Sequence, residues 1–477
     1  MARRDRWFLL GIVAVAFALR WEAARRHAGE AVWDGHYYEY YARRIADGFG
    51  YTDARVVDGV DVGHASCHYP VGFSAALGAI YWLFGQRAAV VWAFNACTGA
   101  AVVGLGFVLA QHVLGSGTDS RWRARLAGLL LCLHPGLVLQ AALVMSEGLA
   151  TATTLASLVV AVELRSRGRA WTGALLGAAC LGVSALVRPP ALFLVPFLLP
   201  WNAPLFRVQS AWGRRGLGLV ALCATALVPI LPWTARNCRV MDGCALVSTN
   251  GGWNLAIGAF PRATGRFETL RSSDGCREVT GQVQQDRCWL HYGLDQIIRA
   301  PVHWLVLAPK KMHYTFDHES FPVEYLHEGQ PQAWPDDTRA VCRDVLTTAH
   351  RLLVLLAAAA LVRVPHFGRQ RGRRRRLEGE SVRAGALFAL IAALAAAGFS
   401  AGEPWVWPLA LLAGAAPFFE RTAAPAARLL GAVVLTVAAT SILFFGEDRY
   451  HAVASPALCV LAACAFRRTD VVTRVTS

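Results

Sequence analysis

Residues 88–113 read AAVVWAFNACTGAAVVGLGFVLAQHV, a run without one Asp, Glu, Lys or Arg. About 20 apolar residues are enough for a helix to cross the hydrocarbon core of a bilayer. Comparable uncharged runs recur along the chain of 477 residues, of which 55% are hydrophobic. Only helices and closed barrels satisfy their backbone hydrogen bonds in lipid, and these runs are continuous rather than alternating. The sequence therefore predicts an all-α polytopic membrane protein.

The positive charge of the chain predicts its orientation. The formal net charge is +15, and the arginines cluster in short loops between apolar runs, which is the pattern of cytoplasmic loops. Contact with anionic inner-leaflet lipid explains these clusters better than contact with nucleic acid, so no nucleic-acid partner is expected. We predict a bacterial inner (plasma) membrane protein with both termini cytoplasmic. The loops assigned to the cytoplasm are 121–125, 165–169, 207–215, 363–383 and 467–468.

This assignment gives about twelve transmembrane helices. They fall near 7–20, 88–113, 126–142, 148–164, 170–187, 190–205, 216–233, 345–362, 384–402, 405–419, 424–445 and 453–466. Residues 70–84 are too short for a span, and counting them would move the arginines of 121–125 to the outer side. We therefore predict an interfacial or re-entrant helix there.

Two large segments, 21–87 and 234–344, then face the outer, periplasmic side. The predicted organisation is a transmembrane catalytic module (1–233) that includes the first outer loop, an outer subdomain (234–344) and a transmembrane module (345–477). A loop as long as 234–344 is expected to fold or to serve function.

The outer cysteines predict disulfides, because a periplasm is oxidising. Cys276 with Cys288 is the preferred pair and Cys238 with Cys244 the next, although connectivity is not fixed by sequence. No CxxC spacing indicates a structural zinc site. The segment 316–319, Phe-Asp-His-Glu, has metal-binding side chains at a spacing that is not diagnostic. The prediction is no metal site, with a divalent cation left possible as cofactor.

One short acidic and aromatic stretch carries the main chemical hypothesis. Residues 33–44 read WDGHYYEYYARR, directly after the first span. Asp34 suits a general base at the membrane surface, and it equally suits the N-cap of a helix over 35–46 that ends before Gly48. Helical spacing puts Tyr37 and Tyr38 on one stripe, which fits a membrane anchor or a substrate pocket.

Four further polar residues are predicted on the same outer face. Glu147 begins a span, where it either stabilises the helix N-terminus or serves as a second catalytic acid. His68, Arg188 and Arg449 are candidates for binding an anionic phosphate. Alternatively, His68 is a surface histidine without a ligand, and Arg188 belongs to a tight turn formed by the two prolines that follow it. Further residues expected to line a substrate pocket are Asn250, Trp253, Asn254 and Tyr450.

Taken in order, these segments resemble the GT-C superfamily of polyprenyl-phosphate-sugar glycosyltransferases, of the protein O-mannosyltransferase-like and lipid A aminoarabinose transferase-like type (glycosyltransferase family 39-like). The resemblance covers most of the chain. It rests on the Asp34 segment and on the segments 48–51, 69–73, 146–147, 188–190, 232–237, 248–258 and 449–451.

The resemblance implies an inverting transfer from a polyprenyl-phosphate-linked sugar to an acceptor hydroxyl or amine. Asp34 would take the acceptor proton, and His68, Arg188 and Arg449 would stabilise the departing lipid phosphate. Membrane lipid and the lipid-linked donor are the expected partners, with the acceptor unknown. The alternatives are a polyprenyl-linked glycan ligase or polymerase and a lipid-linked-sugar transporter or flippase. A transporter would place charged residues deep in several spans, whereas these spans are nearly free of charge.

Overall fold

The fold is known from a computed structural model. It describes residues 3–115, 117–200, 212–361, 374–400, 402, 404–420 and 422–466. The prediction of an all-α chain is confirmed over these residues, apart from two small β-ribbons in the first outer segment. The predicted loop 467–468, most of the loops 207–215 and 363–383, and residues 201–205 of a predicted span lie outside the described residues.

Most of the predicted apolar runs contain an α-helix, whereas 190–205 contains a 3-10 helix and several further α-helices lie outside those runs. The α-helices are α1 (Arg3–His27), α2 (Asp34–Ala46), α3 (Val71–Phe84), α4 (Ala88–Leu114), α5 (Thr118–Leu133), α6 (Pro135–Leu139), α7 (Glu147–Ser166), α8 (Ala170–Val187), α9 (Trp212–Leu227), α10 (Leu231–Val240), α11 (Gly251–Ala259), α12 (Gln282–Arg299), α13 (Pro301–Phe316), α14 (Phe321–Gly329), α15 (Asp336–Ala359), α16 (Arg374–Ser400), α17 (Trp407–Phe419), α18 (Pro425–Leu443) and α19 (Ser455–Ala463).

Shorter elements connect them. Strand β1 (Thr52–Asp53) pairs with β4 (His64–Ala65), and β2 (Val56–Val57) pairs with β3 (Val60–Asp61), both antiparallel. The 3-10 helices are Gln140–Ala142, Pro189–Leu198, Ser272–Asp274, Asp448–Val453 and Cys464–Phe466.

The membrane-crossing helices are fewer by length than the sequence predicts. Within the described ranges, five helices are long and apolar enough to cross a membrane, namely α1, α4, α7, α8 and α18. Two bent pairs raise that number to seven if each pair is one span, α5 with α6 and α9 with α10. The chain is thus a helical membrane protein, and the count of about twelve spans stays a prediction.

The bend of 52° between α5 and α6 follows from Pro135. Proline has no N–H, so the carbonyl of Leu131 loses its normal partner four residues on. Arg20 of α1, which is fully buried, replaces it: Nη2 donates to Leu131 O at 3.1 Å, and Nη1 donates to Cys132 O at 3.2 Å. The sequence predicts one span over 126–142, and the structure shows that the proline bends this region into two helical pieces.

Helix α3 connects the first outer segment to the membrane helices. A Cβ at Gly78 would lie 2.8 Å from the carbonyl oxygen of Ala42 in α2, and a Cβ at Gly72 would lie 2.7 Å from the backbone of Leu186 in α8. Both contacts are closer than a side chain allows. Helix α3 therefore packs directly between α2 and α8 and fixes the start of α2 relative to the end of α8.

The segment after α10, which the sequence predicts on the outer side, is built on α11 and α12. The Asp286 carboxylate accepts hydrogen bonds from the N–H groups of Gly252 and Trp253 at the start of α11. Cys276 pairs with Cys288 and Cys238 with Cys244, the two pairings preferred from the sequence. These contacts hold residues 250–254 in place.

We expect Arg20→Leu to lower the stability of the folded protein by about 2 kcal/mol or more, because two buried carbonyls lose a charged donor. Thermal unfolding in detergent should show a lower midpoint than that of the wild type. Arg25→Leu is the control, since Arg25 pairs with Glu22 on the exposed face of the same helix. Equal midpoints for both variants would contradict the role assigned to Arg20.

Candidate active site

One cavity of about 1330 Å³ collects nearly all of the predicted site residues. Eleven catalytic, phosphate-binding and pocket residues are predicted from the sequence, and ten of them line this cavity; only Glu147 does not. The ten are Asp34, Tyr37, Tyr38, His68, Arg188, Asn250, Trp253, Asn254, Arg449 and Tyr450. They come from segments spread over more than 400 positions of the sequence.

Asp34 does not cap its helix. Trp33 occupies the N-cap position, and no side chain there bonds to the helix N-terminus. The carboxylate of Asp34 turns instead to the cavity, where Oδ2 accepts from Arg449 Nη1 at 2.6 Å and Oδ1 accepts from the Tyr69 hydroxyl at 3.2 Å. The capping interpretation is wrong for this geometry.

The backbone before Asp34 is strained. Trp33 has φ = +50°, a left-handed conformation that bulky residues rarely adopt. Its ring packs against Phe321 and Tyr325 of α14, with centroids 5.5 and 5.7 Å away. Such strain persists only where the surroundings enforce it. The contacts of Trp33 with α14 therefore fix the backbone at this point, and with it the orientation of the next side chain, Asp34.

Two opposing effects set the protonation of Asp34. Burial raises the pKa of the carboxyl, while the charge of Arg449, its hydrogen bond, and the hydrogen bond from Tyr69 lower it. The net result is a pKa below the ordinary value of 3.8. Asp34 is therefore ionised at neutral pH, and an ionised carboxylate is the form that accepts a proton.

Arg449 is shared between two carboxylates. Its Nε lies 2.5 Å from Glu447 Oε2, in addition to the contact with Asp34. The guanidinium also stacks over the rings of Phe321 and Tyr450, at 5.2 and 5.4 Å from their centroids. Only 13% of the Arg449 side chain is exposed. A cation held in this way is nearly rigid, which suits recognition of an oxyanion.

The 3-10 helix that carries Arg449 is anchored to α14. The Asp448 carboxylate accepts hydrogen bonds from the N–H groups of Ser320 and Phe321 and from the Ser320 hydroxyl. These N–H groups are the free donors at the start of α14, so an acid is stabilised there. The anchor holds Arg449 opposite Asp34.

Arg188 is the second cation, and it is held from behind by Glu147. The two side chains form a close ion pair, and Glu147 is 1% exposed. The Glu147 carboxylate therefore pairs with Arg188 and does not line the cavity. The Tyr450 ring lies near both cations, 5.3 Å from the Arg188 guanidinium and 5.4 Å from that of Arg449.

His68 and the α11 residues form the opposite wall. The His68 ring contacts Tyr69 and Trp253, with centroids 4.8 and 6.0 Å away. Burial lowers the pKa of His68, although the charge of Asp34 opposes this. A neutral imidazole donates a hydrogen bond to a phosphate but adds no charge. The positive charge that faces a bound phosphate therefore comes from Arg188 and Arg449.

Several cavity residues are absent from the sequence-based set. Tyr69 contacts Asp34 and belongs to the recognised segment 69–73, whereas Glu447 contacts Arg449 and lies two residues before the segment 449–451. A second polar group lines the far side of the cavity: Arg266, His313, His318, Arg339 and Arg343. His318 belongs to the segment 316–319 considered above for metal binding, and no pattern in the sequence singles out the other four.

Residues 316–319 do not converge on one ion. Asp317 accepts hydrogen bonds from the N–H groups of Val406 and Trp407 and contacts His313, whereas His318 faces the cavity. Glu319 lies on the other side, near His134 and His350, in the one group of three possible metal ligands found among the described residues. That group does not line the cavity.

No protein-family model matches the chain, and no curated protein matches it significantly. Among solved structures, the apo Archaeoglobus fulgidus oligosaccharyltransferase aligns at 12% identity with a TM-score of 0.47, covering 98% of this chain and 51% of that one. ArnT from Cupriavidus metallidurans bound to undecaprenyl phosphate aligns at 15% identity with a TM-score of 0.36, covering 97% and 78%.

Both proteins are glycosyltransferases of the GT-C superfamily, the superfamily that the sequence segments resemble. The chain spans about half the length of the archaeal oligosaccharyltransferase chains. Because these TM-scores lie below 0.5, the function proposed for this chain rests on the geometry of its own site.

We expect Arg449→Gln to raise the pKa of Asp34 relative to the wild type, because burial is then opposed only by the hydrogen bond from Tyr69 and the charge of Arg188. In the wild type, the stabilisation from this pair is present above the ordinary carboxyl pKa and is lost as the pH falls through the lowered value. Infrared difference spectra, with Asp34→Asn subtracted, would follow the protonated carboxyl during a pH titration. Identical titrations for wild type and Arg449→Gln would contradict the coupling.

Proposed function

We propose that this protein is an integral membrane glycosyltransferase. It transfers a sugar, with inversion, from a polyprenyl-phosphate donor to a hydroxyl or amine of a lipid, glycan or protein acceptor. The observation that carries the proposal is the convergence of an ionised carboxylate and two rigid arginines on one cavity that also has an apolar wall. A single displacement needs these three elements: a base, an anion site and a place for the lipid.

Asp34 is the proposed base. As the acceptor oxygen or nitrogen attacks the anomeric carbon, its proton passes to the Asp34 carboxylate. The bond between the anomeric carbon and the phosphate oxygen breaks, and the lipid phosphate leaves with the electron pair. Attack from the face opposite the leaving group inverts the anomeric configuration. Tyr69, which donates to the second carboxylate oxygen at 3.2 Å, orients the base.

Arg449 and Arg188 are the proposed phosphate site. Fixed cations aimed at the leaving group stabilise the charge that develops there. Arg449 also couples binding to catalysis, because it contacts Asp34 at 2.6 Å before any donor is present. A donor phosphate that binds the Arg449 guanidinium weakens the contact between Arg449 and Asp34. The pKa of Asp34 then rises, and the carboxylate becomes a stronger base.

The apolar wall is the proposed site for the first isoprene units. It is formed where α7, α8, the 3-10 helix 189–198 and α18 meet beside Arg188. Its apolar members are Ala150, Val187, Ala191, Leu192, Leu194, Val433 and Val437. Because α7, α8 and α18 are long and apolar enough to cross a membrane, a lipid chain bound between them would continue into the bilayer.

The remaining features of the proposal follow the charge pattern of the sequence. The active site faces the outer, periplasmic side of a bacterial inner membrane, with both termini cytoplasmic. Residues 1–233 form the catalytic module, 234–344 the outer cap over it and 345–477 the second transmembrane module.

We expect Asp34→Asn to reduce turnover by about 10²- to 10⁴-fold, the usual loss for a general base, while leaving donor binding intact. The purified variant would be tested against a panel of polyprenyl-phosphate sugars, with lipid-phosphate release and donor binding measured on the same sample. Glu39→Gln is the matched control, since Glu39 is a carboxylate of the same helix that pairs with Arg43 outside the cavity.

Each result separates the candidate functions. Lost turnover with intact binding supports the transferase. Equal turnover in wild type and Asp34→Asn would remove Asp34 from the mechanism. Donor binding without lipid-phosphate release by the wild type would favour a transporter or a flippase, and activity only with lipid-linked oligosaccharides would favour a ligase or polymerase.

A second substitution tests the role of Glu147. Glu147→Gln removes the carboxylate that holds Arg188, so we expect a higher KM for the donor, by about tenfold or more, with a smaller effect on kcat and an unchanged pH profile. Steady-state kinetics over a range of pH would measure both. A collapse of kcat at unchanged KM would instead make Glu147 a catalytic acid or base.

A further inference from the structure

Four polar side chains meet behind the cavity, in a buried region that the proposed chemistry does not use. They are His134 at the break between α5 and α6, Glu319 between α13 and α14, His350 in α15 and His451 in the 3-10 helix 448–453. None is more than 6% exposed. The possible ligand atoms of His134, Glu319 and His350 all lie within 4.8 Å of one another.

Two atoms of this group have no hydrogen-bond partner in the described part of the chain: Glu319 Oε2 and His350 Nδ1. The nearest cation-forming groups to Glu319 are His134 Nδ1 at 3.9 Å and His451 Nε2 at 3.8 Å. Both distances exceed a hydrogen bond. A buried carboxylate oxygen without a hydrogen-bond partner is costly, so a positive centre closer than these two histidines would stabilise the arrangement.

Backbone carbonyls orient two of the rings. His350 Nε2 donates to Phe316 O at 2.9 Å, and His451 Nδ1 donates to Thr315 O at 2.7 Å. Donation from one ring nitrogen leaves the other with a lone pair, which is the usual support of a metal-binding histidine. For His350 the free nitrogen is Nδ1, the atom that lacks a partner. His451 stacks on His350, with centroids 4.0 Å apart.

The backbone also makes room for the carboxylate. A Cβ at Gly136 would lie 1.7 Å from Glu319 Oε1, so only glycine permits this approach. One contact opposes metal binding: His134 Nδ1 accepts a long hydrogen bond of 3.3 Å from Leu137 N–H, which an ion would replace.

We propose that His134, Glu319 and His350 bind one divalent ion of the zinc class. Two imidazoles and one carboxylate are a donor set that zinc accepts in tetrahedral sites, with water in the fourth position. The ion would compensate the buried carboxylate and use the free lone pair of His350. It does not reach the cavity, so its role is to hold the structure.

The position of the site indicates which part of the structure the ion would hold. The ion joins α5, α6 and α15 to residue 319, which precedes the Ser320 that binds Asp448. His451 lies two positions after Arg449 in the same 3-10 helix and stacks on a ligand. Metal binding would therefore fix the 3-10 helix 448–453, which carries Arg449, the proposed phosphate-binding residue. The metal site stands independently of the proposed glycosyl transfer, because it rests on other residues.

The test measures metal directly. Wild-type protein would be purified in detergent, loaded with Zn²⁺, dialysed and analysed by mass spectrometry for zinc per chain. We expect about one zinc per chain for wild type and a loss of most of it in Glu319→Gln and His350→Gln. His291→Gln, which changes an exposed histidine outside the group, should keep the zinc.

A second measurement covers variants that fail to fold. Wild-type protein treated with EDTA should unfold at a lower temperature, and Zn²⁺ but not Mg²⁺ should restore the midpoint. Zinc content that is equal in wild type, Glu319→Gln and His350→Gln, or a wild-type midpoint that neither EDTA nor Zn²⁺ moves, would overturn the proposal. These readouts need no donor, so their failure leaves the glycosyltransferase proposal to its own test.

Discussion

The pairing of Asp34 with Arg449 is the constraint on which the rest of the site depends. A charge taken out of water must find an opposite charge, and these two side chains, 415 positions apart, can do so only if α2 and the 3-10 helix 448–453 face each other. Arg188 with Glu147 imposes the same condition on α7 and α8. Two ion pairs thus hold α2, the helices α7 and α8 and the 3-10 helix 448–453 around one cavity.

Close backbone packing keeps these pairs in register. Gly72 and Gly78 let α3 lie directly against α8 and α2, and Asp448 fixes the 3-10 helix to α14. The strained backbone of Trp33 shows that this packing imposes a conformation that the isolated segment would not choose. The site is therefore built on rigid elements, although two of its residues, His68 and Tyr69, come from a connecting segment.

The sequence predicts most of the apolar helices, because an uninterrupted apolar run has few folded outcomes in lipid, but it does not predict the helices α11 to α14. It also identifies Asp34, Arg188 and Arg449, which are polar residues at the ends of such runs. It cannot show that Glu147 is buried and pairs with Arg188, because the position of a residue at a helix start does not reveal which side chain contacts it. The bend at Pro135 and the group around Glu319 depend on contacts between elements that are distant in sequence. Such contacts leave no pattern in the local spacing of residues.

The sharing of Arg449 between Asp34 and Glu447 bears on selectivity against soluble anions. A cation already neutralised by two carboxylates offers little net attraction to free phosphate or sulfate in the surrounding water, and its field is screened before it leaves the cavity. An anion must then bring further binding energy to displace these partners. Under the proposed function, a lipid chain that buries apolar surface would supply it at about 25 cal/mol per Å², so the proposed phosphate site would favour lipid-linked phosphates over abundant free ions.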